Sequence, residues 1–305
     1  MKTYKNLTSL IIFTIGCLGF ATCSNQDEMV VEEENNLVPL EIEFKGIDTR
    51  ASINGSFLPE YSDFGIYLTD KTNNIDINNA LATYANKSCK LSQQIMLNGI
   101  PKYVYAYYPY AENISLTGNL PMIPMYSGTT DYLRGYSVNS SMQWTYVYND
   151  APKANILLKH VMARIILNIR KAEDNQQKLE LYDAIFNGIN YYGSYNLLGD
   201  KFSTTKKGDV KINMKSEITH ESTQVELLAI PMESTKGIQL VLDGTAMGYD
   251  TYILTMPTGS WIAGQQYAYD VIFEDSKVSI SAAQISLWKT NEQSGIEVGV
   301  DNKVK

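Results

Sequence analysis

Side chains able to do covalent or coordination chemistry are few in this chain, and they stand far apart. The cysteines are Cys17, Cys23 and Cys89, and the histidines are His160 and His220. A Ser-His-Asp nucleophile is conceivable around either histidine, but no Gly-x-Ser-x-Gly turn accompanies them. A phosphate-cradling Gly-rich loop, an HExxH pair and a CxxC pair are likewise absent. Two histidines are too few for a His-rich zinc site. The acidic run Asp27, Glu28, Glu32, Glu33 and Glu34 lacks the Asp-x-Asp-x-Asp-Gly spacing of a calcium loop. No catalytic residue, cofactor or metal is therefore expected. Paired glycosidase carboxylates meet only in three dimensions, and no pair stands out. His160 sits in the strand-like run Leu157-Leu158-Lys159-His160-Val161-Met162, where a structural imidazole is expected.

Stacking on aromatic rings is the remaining chemistry. The chain has 22 Tyr against 8 Phe, and one stretch reads Tyr103-Val104-Tyr105-Ala106-Tyr107-Tyr108-Pro109-Tyr110. On a strand Tyr103, Tyr105 and Tyr107 share a face. Tyr105 and Tyr107 could stack on sugars there, or pack against a neighbouring sheet with their hydroxyls at its rim. A net charge of -8, from 33 acidic and 25 basic residues, argues against a nucleic-acid partner.

The elements that carry these residues begin with an address. Lys2 and Lys5 precede an apolar run from Leu7 to Ala21 that is too short to span a bilayer, the layout of a secretory signal. Cys23, followed by Ser24, Asn25, Gln26, Asp27 and Glu28, resembles the lipobox cysteine of a bacterial lipoprotein. That resemblance implies a signal peptide over 1–22, acylation at Cys23 and anchoring to the outer membrane. Cys17 is the rival position, but it would leave Leu18, Gly19 and Phe20 after cleavage. A soluble secreted protein cut near Ala21 is the other alternative. With Cys17 removed and Cys23 acylated, Cys89 has no disulfide partner and is expected to pack as a small apolar residue. Residues 23–39 form a polar, acidic tether with little to bury.

From Leu40 the pattern changes to period two: Leu40, Ile42 and Phe44 alternate with Glu41 and Glu43. Similar strand-like runs recur at 64–68, 103–107, 156–169, 179–185, 225–230, 238–242, 252–256, 267–273 and 278–288, separated by Gly, Asn and Pro turns. No amphipathic helix is evident. At 305 residues, about two domains are expected, and many strands at spacings near ten indicate all-β sandwiches. The polar stretch from Lys171 to Lys178 is the candidate boundary, giving domains over 51–172 and 173–288.

Several local patterns together resemble the Bacteroidales fimbrillin family of type V pilus subunits. They are Asp48-Thr49-Arg50-Ala51, Phe64-Gly65-Ile66-Tyr67, Ala106-Tyr107-Tyr108-Pro109-Tyr110, His160-Val161-Met162-Ala163-Arg164-Ile165, Gly193-Ser194-Tyr195-Asn196-Leu197, Leu227-Leu228-Ala229-Ile230-Pro231 and Trp261-Ile262-Ala263-Gly264. The resemblance implies two tandem transthyretin-like β-sandwich domains behind a lipidated leader. It also implies that a trypsin-like or Arg-specific protease removes the first strand, and that another subunit, of the same or a related fimbrillin, supplies its replacement. Carried onto this chain, the cut falls between Arg50 and Ala51, and residues 40–50 are the leader strand that leaves.

The C-terminal segment 289–305 offers a replacement. Ile296, Val298 and Val300 alternate with Glu297, Gly299 and Asp301, so three β-branched side chains point to one face. A donor strand needs main-chain hydrogen bonds along a sheet edge and alternate side chains for its pockets. Burying three such side chains contributes about 5 to 9 kcal/mol before the cost of ordering the tail. The leader offers a matching set in Leu40, Ile42 and Phe44. The expected function is a surface-exposed fimbrial subunit; the alternative is a surface lipoprotein that binds glycans through Tyr105 and Tyr107 and never polymerises.

Overall fold

Apolar residues at every second position, in a chain rich in Tyr, Ile, Val and Thr, make pleated surfaces. The computed structural model describes residues 36–47, 61–86, 88–245 and 249–288, and among these residues there are strands and no helix. In chain order the strands begin with β1 (Val38–Pro39), β2 (Glu41–Ile47), β3 (Ser62–Thr69), β4 (Ile75–Ala85) and β5 (Ser88–Leu91). Next come β6 (Met96–Leu97), β7 (Tyr103–Tyr108), β8 (Ser115–Thr117), β9 (Leu120–Tyr126) and β10 (Leu133–Ser137). The middle of the chain forms β11 (Lys153–His160), β12 (Ala163–Lys171), β13 (Leu179–Asn196), β14 (Lys201–Ile218) and β15 (Thr223–Ala229). The last are β16 (Gln239–Thr245), β17 (Tyr249–Thr255), β18 (Gln265–Phe273), β19 (Val278–Ile280) and β20 (Gln284–Leu287).

These strands form a seven-stranded sheet in the order β2-β11-β10-β7-β3-β4-β5 and a two-stranded ladder of β1 and β6. A five-stranded sheet runs β15-β12-β18-β19 with β20 also on β18, and a six-stranded one runs β17-β16-β13-β9-β8 with β14 also on β13. Among the described residues two pairings are parallel, β2 with β11 and β12 with β18. The run 156–169, expected as one strand, is two. His160 ends β11 in the seven-stranded sheet, and β12 starts at Ala163 in the five-stranded one. The Val161 N–H donates to the Tyr132 carbonyl and the Met162 carbonyl accepts from Gly264, so the crossing is buried and fully apolar, which is why polarity gave no sign of it.

Alternation sorts the side chains into three cores. Phe64, Ile66, Leu68, Val104, Ala106, Ile156 and Leu158 cover one face of the seven-stranded sheet. Ile165, Leu167, Leu181, Phe186, Leu240, Leu242 and Trp261 fill the space between the five- and six-stranded sheets. Ile169 and Leu179, on either side of the polar stretch from Lys171 to Lys178, belong to this same core. The third core joins the other face of the seven-stranded sheet, through Tyr67, Tyr105, Tyr107 and Leu157, to Ile123, Tyr195, Leu197 and Ile230.

A buried cation lies in this third core. The Arg134 side chain, on β10, is 1% exposed. Its Nε–H donates to the Leu197 carbonyl at 3.0 Å and its Nη1 lies 3.2 Å from Asp200. The guanidinium also stands over the rings of Tyr136 at 5.1 Å, Trp144 at 5.7 Å and Tyr105 at 5.8 Å. A buried charge is tolerated only where such partners replace water.

Gly65 on β3 pairs across the sheet with Tyr107, whose ring lies over the space a side chain would fill. A Cβ at Gly65 would sit 1.9 Å from Tyr107 Cε1, and that ring is fixed by hydrogen bonds of its hydroxyl to Asn79 and Ala111. Gly65→Ala is expected to destabilise the fold by about 1–3 kcal/mol, measured as a lower urea midpoint. Gly99→Ala, where nothing lies within 4 Å, should shift it by no more than about 0.5 kcal/mol.

Candidate functional site

A sheet that curls must close on itself or leave two edges, and the seven-stranded sheet nearly closes. Its terminal strands β2 and β5 come into contact with each other. The N-terminal segment 38–47 supplies one of these two edges, β2, and reaches past it through β1. On one side β1 pairs with β6, Val38 opposite Leu97 and Pro39 opposite Met96, and the Leu40 N–H donates to the Ile95 carbonyl at 2.8 Å. On the other side β2 lies parallel on β11, from Glu41 opposite Lys153 to Ile47 opposite Leu158, with a bulge between Ile156 and Leu157.

Side chains follow the alternation. Leu40 and Ile42 are 6% and 9% exposed in the core beneath the sheet, and half-buried Phe44 packs against it with its ring 4.4 Å from that of Phe64. All three expected apolar leader residues are thus brought to one face. Glu41 is exposed, and Glu43 pairs with Lys45 at 2.6 Å and with Lys153 on β11. The hydrogen bond from Lys153, then that from Lys45, holds the Glu43 carboxyl below its ordinary pKa. Sequence reading missed the second half of this arrangement, the β1–β6 ladder, because a two-residue strand has no period to detect.

The other expected site residues fall elsewhere. Cys23, Arg50, Ala51, Ile296, Val298 and Val300 lie outside the described residues. Tyr105 and Tyr107 are 1% and 0% exposed in the third core, so neither ring is open to stack on a sugar, and the glycan contact expected there is corrected to packing. Burial pushes the Tyr107 hydroxyl up to about 12. His160 is buried, with Nδ1 3.0 Å from Asp131 and its ring stacked on Trp288 at 3.7 Å, while His220 is exposed. Half-buried Cys89 packs against the first core, its thiol also pushed up to about 12 by burial. Among the described residues no three His, Cys, Asp or Glu side chains are grouped to hold a metal. A cleft of about 700 Å³ is lined by Lys159, His160, Lys201, Met232 and Ile262 and by two carboxylates, Asp200, which is engaged by Arg134 and Tyr195, and Glu233, which is exposed.

A family model described as fimbrillin-like matches residues 49–288, a span that starts beyond β2. No curated protein matches the chain. Among solved structures, a candidate cell-adhesion protein from Bacteroides uniformis is 16% identical, with a TM-score of 0.63 over 83% of this chain and 100% of that one. One from Bacteroides ovatus is 17% identical at a TM-score of 0.63, over 83% and 98% of the respective chains. A fimbrial protein from Bacteroides vulgatus is 13% identical at 0.51, over 82% and 99%. At such identities the likeness is one of fold.

Because the Glu43 carboxyl is held below its ordinary value, its ion pairs stabilise β2 above the unfolded carboxylate pKa, about 4.3, and that stability is lost as pH falls through the lower folded value. Both partners are substantially exposed, so the effect is about 0.2–1 kcal/mol. In urea titrations the wild type should exceed Glu43→Gln by this amount at pH 6, and the gap should narrow steadily as the pH is taken below the unfolded carboxylate value.

Proposed function

Because the chain belongs to the fimbrillin-like family, and is thus a non-enzymatic structural protein of a cell-surface fimbrium, we propose that its segment 38–47 is a placeholder for a strand from another subunit. The observation that carries this reading is the position of the segment. It is held on its own sheet by β11 alone, bridges to β6 through β1, and covers apolar core with Leu40, Ile42 and Phe44. Its loss would leave the free edge of β11 above an open apolar channel, which a strand with alternate apolar side chains fits.

Cleavage after Arg50 supplies the trigger. While the leader is continuous with the body, it competes for the channel at an effective concentration on the order of millimolar. Cutting between Arg50 and Ala51 abolishes that advantage and turns the leader into a free peptide. Ile296, Val298 and Val300 of a second subunit then offer an apolar set of similar size, so exchange is driven by loss of the tether and by the supply of subunits rather than by a better fit. Acylation at Cys23 holds the precursor at the outer membrane until the protease releases it. The non-polymerising glycan-binding alternative loses its support with the burial of Tyr105 and Tyr107.

Treating the purified precursor with trypsin should give an N-terminus at Ala51 and a ladder of oligomers, whereas a chain lacking residues 295–305 should be cut and stay monomeric. A cut full-length chain that stays monomeric, or a truncated one that polymerises equally well, overturns the proposal.

A further inference from the structure

Large apolar side chains left open on a folded surface mark contact sites. The connection between β10 and β11 folds back as an extended segment, with Trp144 bridged to Val138 and Val147 to Lys102. Val147 is buried, while Trp144 and Tyr146 are 46% and 40% exposed. Half-buried Tyr103 lies between them, 5.9 Å from Trp144 and 6.3 Å from Tyr146. Beyond Tyr146 comes Tyr148 at 6.0 Å, and beyond Trp144 comes Tyr136 at 4.9 Å. The rings form one continuous ribbon, open at its middle.

Lysines stand over two of its rings. Lys71 Nζ lies 5.0 Å from the centre of the Tyr146 ring, and Lys159 Nζ lies 5.1 Å from that of Tyr136. Neither makes an ion pair with a described residue. Asp70, next to Lys71, is committed to its own turn through Thr72 and Asn74. Lys102, which also borders the segment, is instead neutralised by Asp76. The ribbon therefore combines exposed aromatic rings with two lysines that make no ion pair among the described residues, on a protein whose net charge is -8.

We propose that this ribbon binds an acidic oligosaccharide. Sugar C–H faces carry partial positive charge and settle on the negative face of an aromatic ring. The ring hydroxyls of Tyr103, Tyr146 and Tyr148 supply hydrogen-bond partners at the edges, and Lys71 and Lys159 receive carboxylates. The site uses no side chain of β1 or β2, so binding needs neither cleavage nor strand exchange.

The test is binding of the uncut chain to oligogalacturonate, with uncharged dextran of equal length as comparison, by calorimetry at low and high salt. Oligogalacturonate should bind and dextran should not. Trp144→Ala and Tyr146→Ala should each weaken binding about tenfold. Lys71→Gln/Lys159→Gln, which leaves the ring packing intact, should weaken it by a similar factor and flatten its salt dependence. Thermal unfolding of each variant separates loss of the site from loss of the fold. Equal binding of dextran, no binding of either polymer, or binding unchanged in folded Tyr146→Ala and the double lysine variant overturns the proposal; the second outcome leaves the ribbon to a protein partner.

Discussion

A β-sheet that does not close must end, and its last strand is bonded along one side only. In this chain the constraint falls on β2. The seven-stranded sheet curls until its ends meet, and the segment at the seam comes from the N-terminus, ahead of the span that matches the family. Everything beneath the seam depends on that segment being filled, because Leu40 and Ile42 are as much part of the first core as Ile156 and Leu158 are. The core is complete as a structure but incomplete as a sequence of the body alone.

The seam was legible in the residues because alternation at Leu40, Ile42 and Phe44 states both that the segment is a strand and which face it buries. Which neighbour it would take, and in which direction, was not legible, since parallel pairing with β11 is set by the path of the chain through more than a hundred intervening residues. The long hairpin of β13 and β14 shows the same limit. Residues 179–185 read as a strand, but β13 runs on to Asn196, and in β14 the alternation of Val210, Ile212, Met214 and Ile218 is confined to the second half, behind a polar, exposed run over 203–207 that gives no sign of an 18-residue strand. Polarity also does not distinguish a connection between two strands of one core from a linker between two cores. The stretch from Lys171 to Lys178 joins β12 to β13, and both strands feed the core that contains Ile169 and Leu179.

Tyrosine is where composition said most and position least. The run from Tyr103 to Tyr110 contributes buried rings at Tyr105 and Tyr107, while open rings lie elsewhere, at Trp144 and Tyr146 and at Tyr61, Tyr126 and Tyr191. Strand alternation puts Tyr105 and Tyr107 on one face but cannot say that another sheet covers it. Arg134 was equally silent. A lone arginine in Leu133-Arg134-Gly135-Tyr136 looks like a solvated residue, and only the convergence of Leu197, Asp200 and three rings makes it a buried one.

Arg134 and the tyrosines around it also have a mechanical meaning. They replace what would otherwise be a compliant joint between the seven-stranded sheet and the strands that follow with a dry, close-packed core, and such cores compress little. A pull applied at one end of the described body must therefore pass through this junction as strain in packed side chains rather than as the swing of a hinge.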